Sequence, residues 1–110
     1  MTLHHGNRVA MLALNDELLK QCGATVDDTE GLVNLPLAAS EVVAVALLKR
    51  QTETVFRVSL RSKGAVDVRT VAGLWGGGGH HNAAGCTITG TEAEVGALIV
   101  AALGHALTAE

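Results

Sequence analysis

The sequence predicts a single α/β domain whose mixed sheet has about four to five strands flanked by helices. Three observations carry that reading. Apolar runs rich in Val, Leu and Ala alternate along the chain with runs of helical spacing, and no internal repeat or low-complexity stretch interrupts them. Of the 110 residues, 48% are hydrophobic and 17% charged, which suffices for one buried core and lies far from the composition of disordered chains. A continuously apolar run at 42–48 is followed, after a short polar link, by a strictly alternating one, the pattern of an antiparallel pair.

Arg8–Leu14 (RVAMLAL) reads as a buried strand. Residues 1–7 read as a linker or remnant ahead of a domain spanning 8–110, with His4 and His5 unstructured. Asn15 fits a helix N-cap, with Asp16 and Glu17 in the first turn, Leu14 and Leu19 at staple positions and Gly23 as the C-terminal cap. Further on, Asp28 or Thr29 caps a short helix through Glu30, Leu32 and Val33 that ends before Pro36, and Ala38–Ser40 is a turn. Val42–Leu48 (VVAVALL) has the continuity of a strand covered on both faces. Gln51–Thr54 links it to Val55–Lys63 (VFRVSLRSK), where Phe56, Val58 and Leu60 share one face and Arg57, Ser59, Arg61 and Lys63 the other. Asp67 caps a helix that brings Val68, Val71, Ala72 and Trp75, a core anchor or else a pocket wall, to one side and stops at Gly76–Gly79. Cys86–Thr89 is a short β-prone run. Thr91 and Glu94 form a capping box for a last helix whose Val95, Leu98, Ile99, Ala102 and Leu103 face inward.

Composition removes several function classes. Aromatic residues make up 2%, so the core is aliphatic and an aromatic stacking platform for single-stranded nucleic acid is excluded. The longest charge-free apolar stretch, Val95–Ala109, contains Gly and His and falls short of the ~18–20 residues of a membrane span. Met1–Gly6 has no basic start and no apolar run, so no signal peptide is expected. Cys22 and Cys86 form no CxxC and read as small buried hydrophobes, kept reduced in a cytoplasmic protein. The net charge is −3, yet residues 49–69 hold six of the eight basic residues against two acids. That concentration suggests a local anionic ligand.

The stretch Gly76–Gly85 (GGGGHHNAAG) is the most unusual one. Four consecutive glycines carry a large ordering entropy, tolerated where a backbone must turn sharply or let a ligand approach. Exposed N–H groups of such a loop can form an anion nest, and one helical turn over His80–Ala84, capped by Gly85, would aim more of them at the same anion. A flexible connector is the alternative. The pattern is neither a P-loop nor a dinucleotide fingerprint, since no GK[ST] follows and the glycines come after a helix. His80 and His81 are adjacent and point apart, which suits a phosphate hydrogen bond from His80 better than a shared metal, and leaves His81 as an exposed residue. His105 falls on the last helix, and its spacing assigns it no role. Arg61 offers a planar fork for phosphate, with the Ser62 hydroxyl beside it.

Ser59–Gly64 (SLRSKG), Val66-Asp67-Val68 and the helix running into Gly76–Gly85 resemble the DHHA1 domain that closes the C-terminal half of DHH-family phosphoesterases. The resemblance is strongest to bacterial oligoribonucleases, or nanoRNases, which also dephosphorylate 3′-phosphoadenosine 5′-phosphate. It covers most of the chain and implies a DHHA1-like fold. It further implies a substrate site of Arg61, Ser62, Gly77, Gly78, Gly79, His80 and Asn82, with a nucleotide or short RNA as ligand. In that family two manganese ions sit in an N-terminal DHH domain, the partner across the cleft. No Asp-His-His occurs here, and Asp27-Asp28 has no nearby His. The chain is therefore expected to hold no metal and to be non-catalytic alone, as part of a longer phosphoesterase. The competing expectations are the matching domain of a cyclic dinucleotide phosphodiesterase, or a non-catalytic nucleotide-sensing or dimerisation module, with a homodimer formed through the last helix, Val95–Leu107.

Overall fold

A computed structural model of the chain describes residues 2–14 and 41–108. The predicted helix from Asn15 to Gly23, the short helix after Asp28 or Thr29 and the turn at Ala38–Ser40 lie outside the described residues. The elements in chain order are β1 (Thr2–His4), β2 (Val9–Leu14), β3 (Ala44–Arg50), β4 (Val55–Ser62), α1 (Val68–Gly73), β5 (Gly78–His80), β6 (Ala83–Thr89) and α2 (Glu92–Thr108). Among the described residues the strands form one six-stranded sheet in the order β1-β2-β3-β4-β6-β5. β2 and β3 run parallel and every other neighbouring pair is antiparallel, so the sheet is mixed as expected.

The sheet gains two edge strands that periodicity did not announce. Thr2–His4 pairs with Val9–Met11, so residues 2–4 are ordered sheet rather than an unstructured lead. His5 Nε2 donates to the Val100 carbonyl oxygen at 2.8 Å, and its ring lies over Gly104, where a Cβ would stand 2.6 Å from Cε1. The other new edge is β5, inside the glycine run. Edge strands of three residues carry too little apolar alternation to be read from sequence.

Two capping motifs fall where side-chain chemistry predicts them. Asp67 Oδ1 accepts from the N–H groups of Arg69 (2.9 Å) and Thr70 (3.2 Å), starting α1. Thr91 and Glu94 bond reciprocally, each side chain accepting from the other's N–H at 3.1 Å, ahead of α2. α1 ends at Gly73, so Trp75 sits in the turn beyond the helix, half-buried against the core. Phe56, Val58 and Leu60 of β4, with Cys86 and Ile88 of β6, bury against Val68 and Val71 of α1 and Val95, Ile99 and Leu103 of α2. Leu98, expected to face inward, is 46% exposed because the helix face that meets the sheet runs through 95, 99, 102 and 103 instead. On the other face of β2 and β3, Ala10, Leu12, Val42, Val45 and Leu47 form a second buried cluster. Both faces of these strands are covered, which is why they read as unbroken apolar runs.

Candidate functional site

Across a ladder, directly opposed residues point to the same side of the sheet. The register of β4, β6 and β5 therefore assembles a surface on the face turned away from α1 and α2. Arg61 opposes Ala83, which opposes His80; Ser59 opposes Gly85, which opposes Gly78; and Arg57 opposes Thr87. Arg61 and His80 thus share one face, two strand spacings or about 10 Å apart, with only a methyl group between them. Arg61 is half-buried and donates from Nη1 to the Leu60 carbonyl at 2.9 Å, while His80 is exposed. The floor under and beside these two side chains is made of Ala83 and, one row along, of Gly85, Gly78 and Ser59, all small.

The glycine run serves two different ends. A Cβ on Gly77 would overlap the Gly85 carbonyl oxygen and stand 2.7 Å from the Cys86 Cβ, so close packing of the run on β6 demands glycine there. A Cβ on Gly78 would meet nothing within 4 Å, and its φ is one that any residue adopts. Nothing in the fold requires glycine at 78, and the space it leaves open lies over the floor of the cationic face.

The expected helical turn over His80–Ala84 is corrected by the structure. Gly78–His80 and Ala83–Thr89 form a hairpin joined at His81-Asn82. The turn carbonyls are occupied, His81 O accepting from Val68 N–H (2.9 Å) and Asn82 O from Ser62 N–H (3.0 Å). Pairing of Ala83–Thr89 with β4 supplies a whole ladder, which outweighs an isolated helical turn. Two of the N–H groups an anion nest would have used are also consumed, since Gly76 N–H bonds to Gly73 O (3.2 Å) and Gly77 N–H to Ala72 O (3.0 Å). An anion on this face would meet side chains and open floor.

Ser62 and Asn82 come together, but not beside Arg61. As the strand alternates, Ser62 turns inward and is buried, and its hydroxyl donates to Val66 O at 2.6 Å. Asn82 Nδ2 donates to Ser62 Oγ (2.9 Å) and Gly64 O (3.2 Å), tying the hairpin turn to the 62–66 loop. These two residues brace the site from behind. His81, expected to be plain solvent-facing filler, is exposed but engaged: its Nε2 lies 3.2 Å from Gly64 O and its Nδ1 3.7 Å from Asp67 Oδ2. The Asp67 carboxyl is held below the usual carboxylate range by the Thr70 hydroxyl first, then by backbone N–H donors and the nearby His81. Cys86 lies on the core face of β6, and burial pushes its thiol up. Sequence reasoning missed the bracing pair because its members are far apart in the chain and pair only through the ladder.

Among the described residues, no group of three His, Cys, Asp or Glu side chains is arranged to hold a metal ion. No helix among them is long and apolar enough to cross a membrane. A cavity of about 590 Å³ opens on the opposite side, between α1 and α2, lined by Asp67, Val71, Leu74, His81, Ala102 and His105 among others. It is mostly apolar and does not reach the Arg61–His80 face.

Comparison with known proteins bears directly on this arrangement. The family model of the DHHA1 domain matches residues 7–108. The chain is 35% identical over 81 residues to a bifunctional oligoribonuclease and PAP phosphatase NrnA from Thermus thermophilus, a match covering 74% of this chain and 24% of that protein. The structure superposes on that of an exopolyphosphatase-related protein from Bacteroides fragilis with a TM-score of 0.70 and 33% identity, covering 86% of this chain and 28% of the other. The chain thus spans about a quarter of the length of these relatives. With nearly its whole described length matched and its fold shared, the chain belongs to the DHHA1 family, the domain of DHH-type phosphoesterases.

Proposed function

We propose that this domain is the substrate-gripping half of a phosphoesterase acting on short oligoribonucleotides or 3′-phosphoadenosine 5′-phosphate. The observation that carries the reading is the shared face of Arg61 and His80 over Ala83, with open space at Gly78 in the next row. A guanidinium takes two phosphate oxygens at once, and an imidazole N–H takes another from across the floor. Ser62 and Asn82 act as positioning residues, holding the β4 end and the hairpin turn in register. A DHH domain would be the partner across the cleft, and metal ions held there, manganese in this reading, would supply an activated water. The described residues of this chain offer no set for those ions, and no hydrolytic step is assigned to them. The reading carries a cytoplasmic location with it, in keeping with a buried free thiol at Cys86.

Few phosphate contacts on half a cleft support a dissociation constant near millimolar, about −4 kcal/mol. The test is an amide NMR titration of the chain with AMP and with a short oligoribonucleotide, without metal. Shifts confined to Arg61–Lys63 and Gly76–Ala84 are expected, and their loss in Arg61→Ala and His80→Ala would follow. Shifts clustered instead around α2, or in the cavity beside Leu74 and His105, would reject this face as the site.

A further inference from the structure

We propose that Arg57 is a specificity-determining residue, supplying a second anion position that favours ligands with two phosphates flanking a ribose over ligands with one. The proposal rests on the reading of the open sheet face given above. Arg57 lies on that face, two residues beyond Ser59 along β4 in the direction away from Arg61. Its guanidinium does not stay above its own row. A Cβ on Gly85 would stand 2.9 Å from its Nη2 and 3.3 Å from its Cζ, so the group lies over Gly85, the residue that opposes Ser59 and Gly78. That brings its charge to the middle of the floor, about 7 Å along the strand from the Arg61–His80 row. The separation is comparable with that of neighbouring phosphates on one nucleotide chain.

A purely structural role explains this placement poorly. The residue opposite Arg57 on β3 is Lys49, and like charges directly opposed destabilise a ladder. The neighbours given to the Arg57 guanidinium are the Gly85 backbone and, through its charge, the Cys86 thiol, rather than a carboxylate. Arg50, by contrast, lies over the Phe56 ring at 5.2 Å. A cation held over a glycine, facing another cation, becomes favourable when an anion sits beside it.

Three ligands separate the outcomes when titrated into the full chain without metal: AMP, 3′-phosphoadenosine 5′-phosphate and a 5′-phosphorylated diadenylate. The wild type is expected to bind the two-phosphate ligands about tenfold more tightly than AMP, as one added charge-assisted contact allows. Arg57→Gln should erase that advantage, leave AMP affinity and the melting temperature unchanged, and lower the salt slope for the diadenylate by about 0.7. Arg57→Lys should restore part of the preference. A gain confined to one of the two-phosphate ligands also supports the proposal and identifies which linkage the site reads. Equal weakening of all three ligands by Arg57→Gln would overturn it, because a general field effect acts without discrimination. An advantage retained in Arg57→Gln would overturn it too. If wild type shifts for none of the three, the Arg61–His80 site itself fails, and the proposal with it.

Discussion

Neighbouring glycines in one run are predicted to fail in opposite ways. In Gly77→Ala the new methyl is driven into the Gly85 carbonyl oxygen and comes 2.7 Å from the Cys86 Cβ and 2.9 Å from its Cα. Two of those three obstacles are backbone of the paired strand β6, which has no rotamer to change. Overpacking of this kind costs about 1–3 kcal/mol or more. For a domain of this size each kcal/mol lowers the melting temperature by roughly 4–8 °C, so a loss of about 10 °C or more is expected. In Gly78→Ala the methyl enters empty space at an ordinary φ. Reducing the freedom of the unfolded chain then stabilises by about 0.4–1 kcal/mol, a rise of a few degrees. Binding should move the other way, because that methyl stands on the floor in the row next to that of Arg61, Ala83 and His80. AMP affinity is expected to fall about tenfold in Gly78→Ala, which corresponds to about 1.4 kcal/mol, and further in Gly78→Val. Thermal melts by circular dichroism and amide NMR titrations read the two quantities separately. Similar destabilisation of both alanine variants would refute the steric assignment. A Gly78→Val protein that binds AMP like wild type would refute the floor.

Other perturbations follow from the same geometry. Ser62→Ala removes the donor at 2.6 Å to Val66 O and one acceptor of Asn82 Nδ2, which keeps Gly64 O and Val66 O, and should cost about 1 kcal/mol in urea unfolding. Because the pair acts as one unit, the Ser62→Ala/Asn82→Ala double variant should cost less than the sum of the singles. The lowered Asp67 carboxyl adds stability that is fully present above the ordinary carboxylate range and is lost as pH falls through its folded value. The melting-temperature gap between wild type and Asp67→Asn should therefore close on acidification; a gap that widens instead would contradict the assignment. Cys86, with its thiol raised by burial, should resist an aromatic disulfide reagent at neutral pH until denaturant is added, measured in a Cys22→Ser background.

Much of the fold was legible because its causes are local. The strand at 9–14 and those at 44–50 and 55–62 follow from runs of apolar residues and from alternation at Phe56, Val58 and Leu60. Asp67 and Thr91 announce their helices by side chains that reach only two or three residues ahead. β5 and β6 were less legible, since glycine and alanine carry almost no periodic signal and the pairing that orders them comes from β4. His5 gave no local cue at all, because its partners, Val100 and Gly104, lie at the far end of the chain.

The candidate site divides in the same way. Composition and spacing determined that a basic alternating strand and a Gly-His stretch exist, that Arg57 and Arg61 share a face of that strand, and that His80 and His81 diverge. Only the tertiary structure decided that His80 comes to the Arg61 face, that Ser62 and Asn82 brace each other behind it, that Gly77 is needed for packing while Gly78 is not, and that Arg57 lies over Gly85. Alternation within a strand sets which side a residue faces. The neighbour it meets there is set by ladder register, which depends on strands distant in sequence.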